Sequence, residues 1–80
     1  DYATFYKAIA QIELGQLDAA NNNLQALSQK NVFALIDDVR WNLALVNIKQ
    51  GKTRVAIFSL RQLTISEKYE ERAEQLLKDL

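Results

Sequence analysis

Apolar residues recur every three or four positions along this chain, and strict two-residue alternation is not sustained anywhere. That period marks amphipathic helices rather than strands. It predicts five of them, over residues 1–14, 17–29, 35–50, 53–64 and 66–79. Gly15 and Gly51 stand just past the ends of the first and third, where a chain leaving a helix often takes a left-handed turn. Asp37, Thr53 and Ser66 are candidate N-caps, because their side-chain oxygens can take up free N–H groups of a first turn. Residues 29–31 are expected to form the longest loop.

The helical faces differ from one another. At 100° per residue, the third helix carries two apolar faces, Trp41, Ala44, Leu45 and Ile48 on one side and Val39, Leu43 and Val46 on the other. Two narrow polar stripes separate them: Asp38, Asn42 and Lys49, then Arg40 and Asn47. Such a helix must be covered twice, so it is expected in the interior of a stacked helical array, with Trp41 packed rather than gripping a ligand. The fifth helix has one apolar face, formed by Tyr69, Ala73, Leu76, Leu77 and Leu80, and is charged elsewhere. A single-faced helix suits the closing end of an array. The first helix has Phe5, Ala8, Ile9 and Ile12 on its full face and Ala3, Lys7 and Ala10 on its flank, which leaves room for a preceding neighbour.

A repeat underlies these faces. Shifted by 36 residues, 1–28 falls on 37–64 without a gap, pairing Asp1 with Asp37, Ala8 with Ala44, Gly15 with Gly51, Ala20 with Ala56, Leu24 with Leu60 and Leu27 with Leu63. Phe5 falls on Trp41, Ile9 on Leu45 and Ile12 on Ile48. The small pairs allow helices to approach closely, the Gly pair turns the chain, and the large apolar pairs fill the space between. An aromatic, a small residue three later, a closing Gly, an Ala five beyond it and Leu four and seven beyond that resemble the tetratricopeptide repeat (TPR), whose period is about 34 residues. The stretch DDVRWNLALVNIKQGKTRVAIFSL is the stronger copy and is similar to repeats of bacterial proteins. Thr4, Lys7 and Gln11 depart from the family's apolar preference, and no Pro closes either repeat. The resemblance implies an all-α fold of antiparallel helix-turn-helix units stacked as a short right-handed solenoid. It would be one domain, with repeats over 1–34 and 35–65 and a capping helix over 66–80.

Composition narrows the function more than the fold. Eighty residues, 49% hydrophobic and 25% charged, suffice for one modest core. No apolar run reaches the length of a membrane span and no secretory leader is present, so membrane insertion is not expected. The first residue is Asp rather than Met, and the chain is expected to be a piece of a longer protein, of cytoplasm or cell envelope alike. There is neither Cys nor His, which removes thiol chemistry, the commonest general base and the soft metal ligands. Asp37 and Asp38 point about 100° apart on a helix and suit its N-terminal dipole better than a shared substrate. The acidic run of Glu67, Glu70, Glu71 and Glu74 lacks the His that carboxylate metal sites add, and Glu74 can pair with Lys78 instead. Asn21, Asn22 and Asn23 are expected on the exposed side of the second helix. Gly51-Lys52-Thr53 lacks the rest of a phosphate-binding loop. No enzyme, cofactor or metal is implied.

Charge sums to zero but is unevenly placed. Residues 1–38 net −3, residues 39–66 net +5 with no acid, and residues 67–80 net −2. Arg54 and Arg61 share a stripe of the fourth helix, with Lys52 and Arg40 as neighbours. This basic patch reads as a solvated face or a dock for an acidic protein segment; nucleic acid needs a broader basic footprint and is not expected as a partner. The TPR resemblance points elsewhere, because first helices of successive repeats line a concave groove in that family. The repeat alignment puts Tyr2, Tyr6 and Glu13 of the first helix and Asp38, Asn42 and Lys49 of the third there, with Ile9 and Leu45 at the margin. Tyr offers contact area and a hydrogen bond at low entropic cost. Phe5 and Ile9 replace polar residues of the family's carboxylate clamp, so that mode is not expected. The resulting expectation is a scaffold module that binds a protein or peptide, with self-association or further preceding repeats compatible. The alternative is a structural spacer or oligomerisation segment without a peptide ligand.

Overall fold

The computed structural model describes residues 1–31 and 33–80. Five helices follow one another: α1 (Tyr2–Glu13), α2 (Leu17–Ser28), α3 (Ile36–Lys49), α4 (Thr53–Leu63) and α5 (Glu70–Asp79). No strand occurs among the described residues. Each helix packs on the next in the chain, and α1 also touches α3.

The two tight turns are built alike. Gly15 and Gly51 adopt φ of +77° and +76°, the left-handed region that costs an L-residue strain and glycine almost nothing. The Gly15 N–H donates to the Ile12 carbonyl at 3.0 Å and the Gln16 N–H to the Gln11 carbonyl at 2.8 Å. Thirty-six residues on, Gly51 donates to Ile48 at 3.0 Å and Lys52 to Asn47 at 2.7 Å. Both are Schellman closures, which satisfy carbonyls that a helix end leaves free. The repeat read from side chains is therefore also a repeat of backbone geometry. Its paired positions share burial, since Ala8, Ala44, Ala20, Ala56, Leu24 and Leu60 are all fully enclosed.

The core lies on both sides of α3. Val39, Leu43 and Val46 join Phe5, Ala8, Leu24, Leu27 and Phe33 in one cluster, with Ile9, Ile12, Leu17 and Leu35 packed against it. Ala44 joins Ala56, Leu60, Leu63, Tyr69 and Ala73 in the other, flanked by Trp41, Ile48, Leu76 and Leu77. Both apolar faces expected of this helix are thus packed against other elements, with Leu45 outside the two clusters.

Three expectations need correction. None of Asp37, Thr53 and Ser66 caps a helix; the capping positions are Leu35, Lys52 and Tyr69, without side-chain cap bonds. Asp37 lies inside the first turn of α3 and pairs with Arg40 at 3.4 Å instead. Second, α5 begins at Glu70, not at Ser66. The Ser66 carbonyl accepts the N–H groups of Tyr69 and Glu70 in a preceding turn, which rolls the Tyr69 ring beneath Trp41. Third, Asn21 is buried and only Asn22 of its run is fully solvent-facing. Asn47, on a stripe read as polar, is wholly enclosed. The Asn21 amide donates to Asn47 Oδ1 and Gln50 Oε1, each at 2.8 Å, and Gln50 Nε2 donates to Asp18 at 2.6 Å. This chain of amides joins α2 to α3 and pairs the Asn21 amide and the Asn47 Oδ1, but not the Asn47 Nδ2.

Candidate functional site

The positions expected to line a groove fall on matching stripes of α1 and α3. Tyr2, Tyr6, Ile9 and Glu13 lie within about 60° on one wheel, and Asp38, Asn42, Leu45 and Lys49 lie equally close on the other. Tyr2 and Tyr6 are 53% and 62% exposed. Neither ring is loose. Tyr2 meets Phe33 edge-on at 5.0 Å, and Tyr6 meets Phe5 edge-on at 5.3 Å. These T-shaped contacts fix the rings against the core while leaving one face in water. Tyr2 opens onto a recess shared with Lys30, Asn31 and Phe33 of the α2–α3 connection. Glu13 and Lys49 are exposed, and neither makes a salt bridge among the described residues.

The α3 stripe is less free than its sequence implies. Asp38 accepts hydrogen bonds from Lys68 Nζ at 2.6 Å and from the Tyr69 hydroxyl. Burial alone would raise its pKa; the hydrogen bonds from Lys68 and Tyr69, with the Lys68 charge, outweigh burial and hold the carboxyl below its ordinary value. Tyr69 shifts the other way: burial first, then the Asp38 bond and charge, push its phenol well above the usual tyrosine range. Asn42 donates its amide to the Asp38 backbone carbonyl at 2.8 Å. The structure thus spends Asp38 on holding the segment before α5 against α3, and the Asn42 amide on a bond within α3.

What the stripe opens onto is a cleft between α3 and α5 of about 550 Å³. Trp41, Leu45 and Leu76 give it an apolar floor, and Glu71, Arg72, Gln75 and Asp79 rim it. Trp41 stacks on Tyr69 with centroids 5.3 Å apart and planes 20° from parallel, so it packs with one face and lines the cleft. Leu45 was placed at the groove's margin by the repeat, whereas the α5 wall was missed. Arg72, Gln75 and Leu76 share a face of any helix that contains them, but the chain does not show that this face lies beside Trp41 and Leu45.

The basic residues separate. Arg40 points towards Asp37 at 3.4 Å and Asn31 at 3.3 Å. Lys52, Arg54 and Arg61 are exposed on α4 and its leading turn. Among the described residues no group of three or more Asp or Glu could hold a metal ion. Among the described residues no helix is long and apolar enough to cross a membrane. Comparison with family models, with curated proteins and with solved structures gave no match.

Proposed function

We propose that this chain is a protein-interaction module, a short TPR-like helical array that binds a peptide or partner protein along the α1 and α3 stripes and performs no catalysis. One observation carries the reading: Trp41, Leu45 and Leu76 leave an apolar cleft uncovered beside the α3 stripe, inside a mixed-charge rim. Clefts with an apolar floor and a few polar groups at the edge take anchor side chains, and a few such anchors supply most binding free energy. Two exposed, edge-fixed tyrosines on the neighbouring stripe add rigid contact area. The 36-residue repeat, with its twin glycine closures, supports the TPR-like arrangement.

The test is capture of extended peptides from an immobilised library. Leu45→Glu, which puts charge on the cleft floor, and Tyr2→Ala with Tyr6→Ala should each abolish capture. Undiminished capture by folded variants would sink the groove reading.

One observation favours the structural alternative. Asp38 and Asn42, two of the six groove positions, direct hydrogen bonds within the chain. A spacer would capture nothing, and sedimentation over a range of concentrations would show either self-association or an inert monomer.

A further inference from the structure

A second surface lies on the other side of α3. Arg40 and Leu43 project some 140–200° around that helix from Asp38. They face a groove of about 290 Å³ walled by the end of α2 and by α4. Leu43 and Ser59 are buried at its floor. Val55 and Phe58 stand at its lip, 43% and 66% exposed. They are not core residues out of place, because Ala56, Leu60 and Leu63 already cover the inner face of α4.

Charge decides what such a groove accepts. Arg54 precedes Phe58 by one helical turn and Arg61 follows it by one, so the three share a stripe of α4 with Phe58 in the middle. Both arginines are exposed, and neither forms a salt bridge among the described residues. Lys30 and Lys68, by contrast, meet carboxylates at 2.6 Å. Arg40, at the groove wall, is already paired with Asp37 at 3.4 Å, which leaves Arg54 and Arg61 for a ligand, and residues 39–66 contain no acid.

We propose that the α2–α4 groove docks an acidic peptide segment bearing one large apolar side chain. That side chain sits against Val55 and Phe58, and carboxylates on either side of it reach Arg54 and Arg61 in charge-assisted pairs. Nucleic acid fits less well. Few phosphates would be neutralised here, and the groove is edged by Gln25, Ser28 and Gln62 rather than by further cations.

Fluorescence anisotropy of the 80-residue chain with a labelled Glu-rich peptide carrying one central Leu tests this. The peptide should bind at low salt and weaken as salt rises. Phe58→Ala, and separately Arg54→Gln with Arg61→Gln, should each weaken it at least about tenfold. Replacing the peptide's Leu by Ala should do the same. Tyr2→Ala with Tyr6→Ala should leave binding unchanged, which separates this surface from the groove proposed above. Far-UV circular dichroism confirms folding, which replacement of these solvent-facing side chains should preserve. The proposal is overturned if the peptide does not bind, if Phe58→Ala binds as well as the parent, or if the tyrosine pair is required. It is equally overturned if poly(dT) binds more tightly than the peptide.

Discussion

Asp38 joins α3 to the turn before α5, and its partners are unequal. Lys68 is mostly solvent-exposed, so its ion pair is screened and contributes little. The Tyr69 hydroxyl is enclosed with the carboxylate and carries more. Lys68→Ala should therefore cost under about 0.5 kcal/mol, whereas Tyr69→Phe should cost about 1 kcal/mol and Asp38→Asn about 1–2 kcal/mol. Because the folded carboxyl titrates below its ordinary value, its contribution is complete above about pH 4 and is lost as pH falls through the folded pKa. Urea midpoints of the parent and Asp38→Asn should thus differ at pH 7 and converge at low pH; a gap that persists in strong acid contradicts the assignment. At the alkaline end the sign reverses. The raised Tyr69 pKa makes its share complete below about pH 10 and lost as pH rises through the folded value. Asn47 poses a different question, since its Oδ1 accepts from Asn21 while its enclosed Nδ2 has no partner. Asn47→Leu removes that unsatisfied donor, and Asn21 keeps its bond to Gln50. The change should alter stability by less than about 1 kcal/mol, whereas Asn47→Ala adds a cavity and should cost about 2 kcal/mol. Chemical denaturation of both variants gives the comparison. None of these pairings could be read along the chain. Asp38 meets Lys68 and Tyr69 across about 30 residues, and Asn is usually a surface residue, so Asn21 and Asn47 carry no mark of burial.

At the scale of elements, helix ends separate into those set locally and those set by packing. The closures at Gly15 and Gly51 were legible because a left-handed residue is a local demand that one amino acid meets best. An added Cβ would touch nothing at either position, so substitution carries backbone strain without a clash. Gly15→Ala and Gly51→Ala should each cost about 1–2 kcal/mol, and by nearly the same amount, since their φ values and closing hydrogen bonds match. Urea titrations measure this, and a large inequality would show that the two turns are not equivalent. The starts of α2 and α4 were legible too, at Leu17 and Thr53, but the capping residues and the start of α5 were not. A Ser or Thr can cap wherever it stands, but which residue occupies the position depends on how the preceding segment enters the fold. Tyr69 makes this concrete: its periodicity with Ala73 and Leu76 was readable, but α5 starts past Ser66, with Tyr69 at the capping position and its ring stacked on Trp41. The same holds for the sites. The α1 and α3 stripes followed from periodicity, whereas the α5 wall of one cleft and the Val55–Phe58 lip of the other depended on which helices became neighbours.

At the scale of the molecule, α3 is, among the described residues, the only helix that supplies buried residues to both clusters. Its two apolar faces imply that neither half of the core can loosen without freeing one side of a helix that the other half needs. The halves should therefore unfold together, although Leu24 and Trp41 belong to different clusters. Leu24→Ala tests this directly. Leu24 is fully buried between α2 and its neighbours, and truncation there should cost about 3 kcal/mol through lost transfer energy and a residual cavity. Trp41 fluorescence reports on the distant cluster, because its ring stacks on Tyr69 beside α5. If α3 couples the halves, Leu24→Ala should lower the urea midpoint followed by Trp41 emission as far as the midpoint followed by circular dichroism. A Trp41 midpoint that stays in place while the helical signal shifts would mean two independently stable halves. In that case the cleft beside Trp41 would survive disruption of α1 and α2.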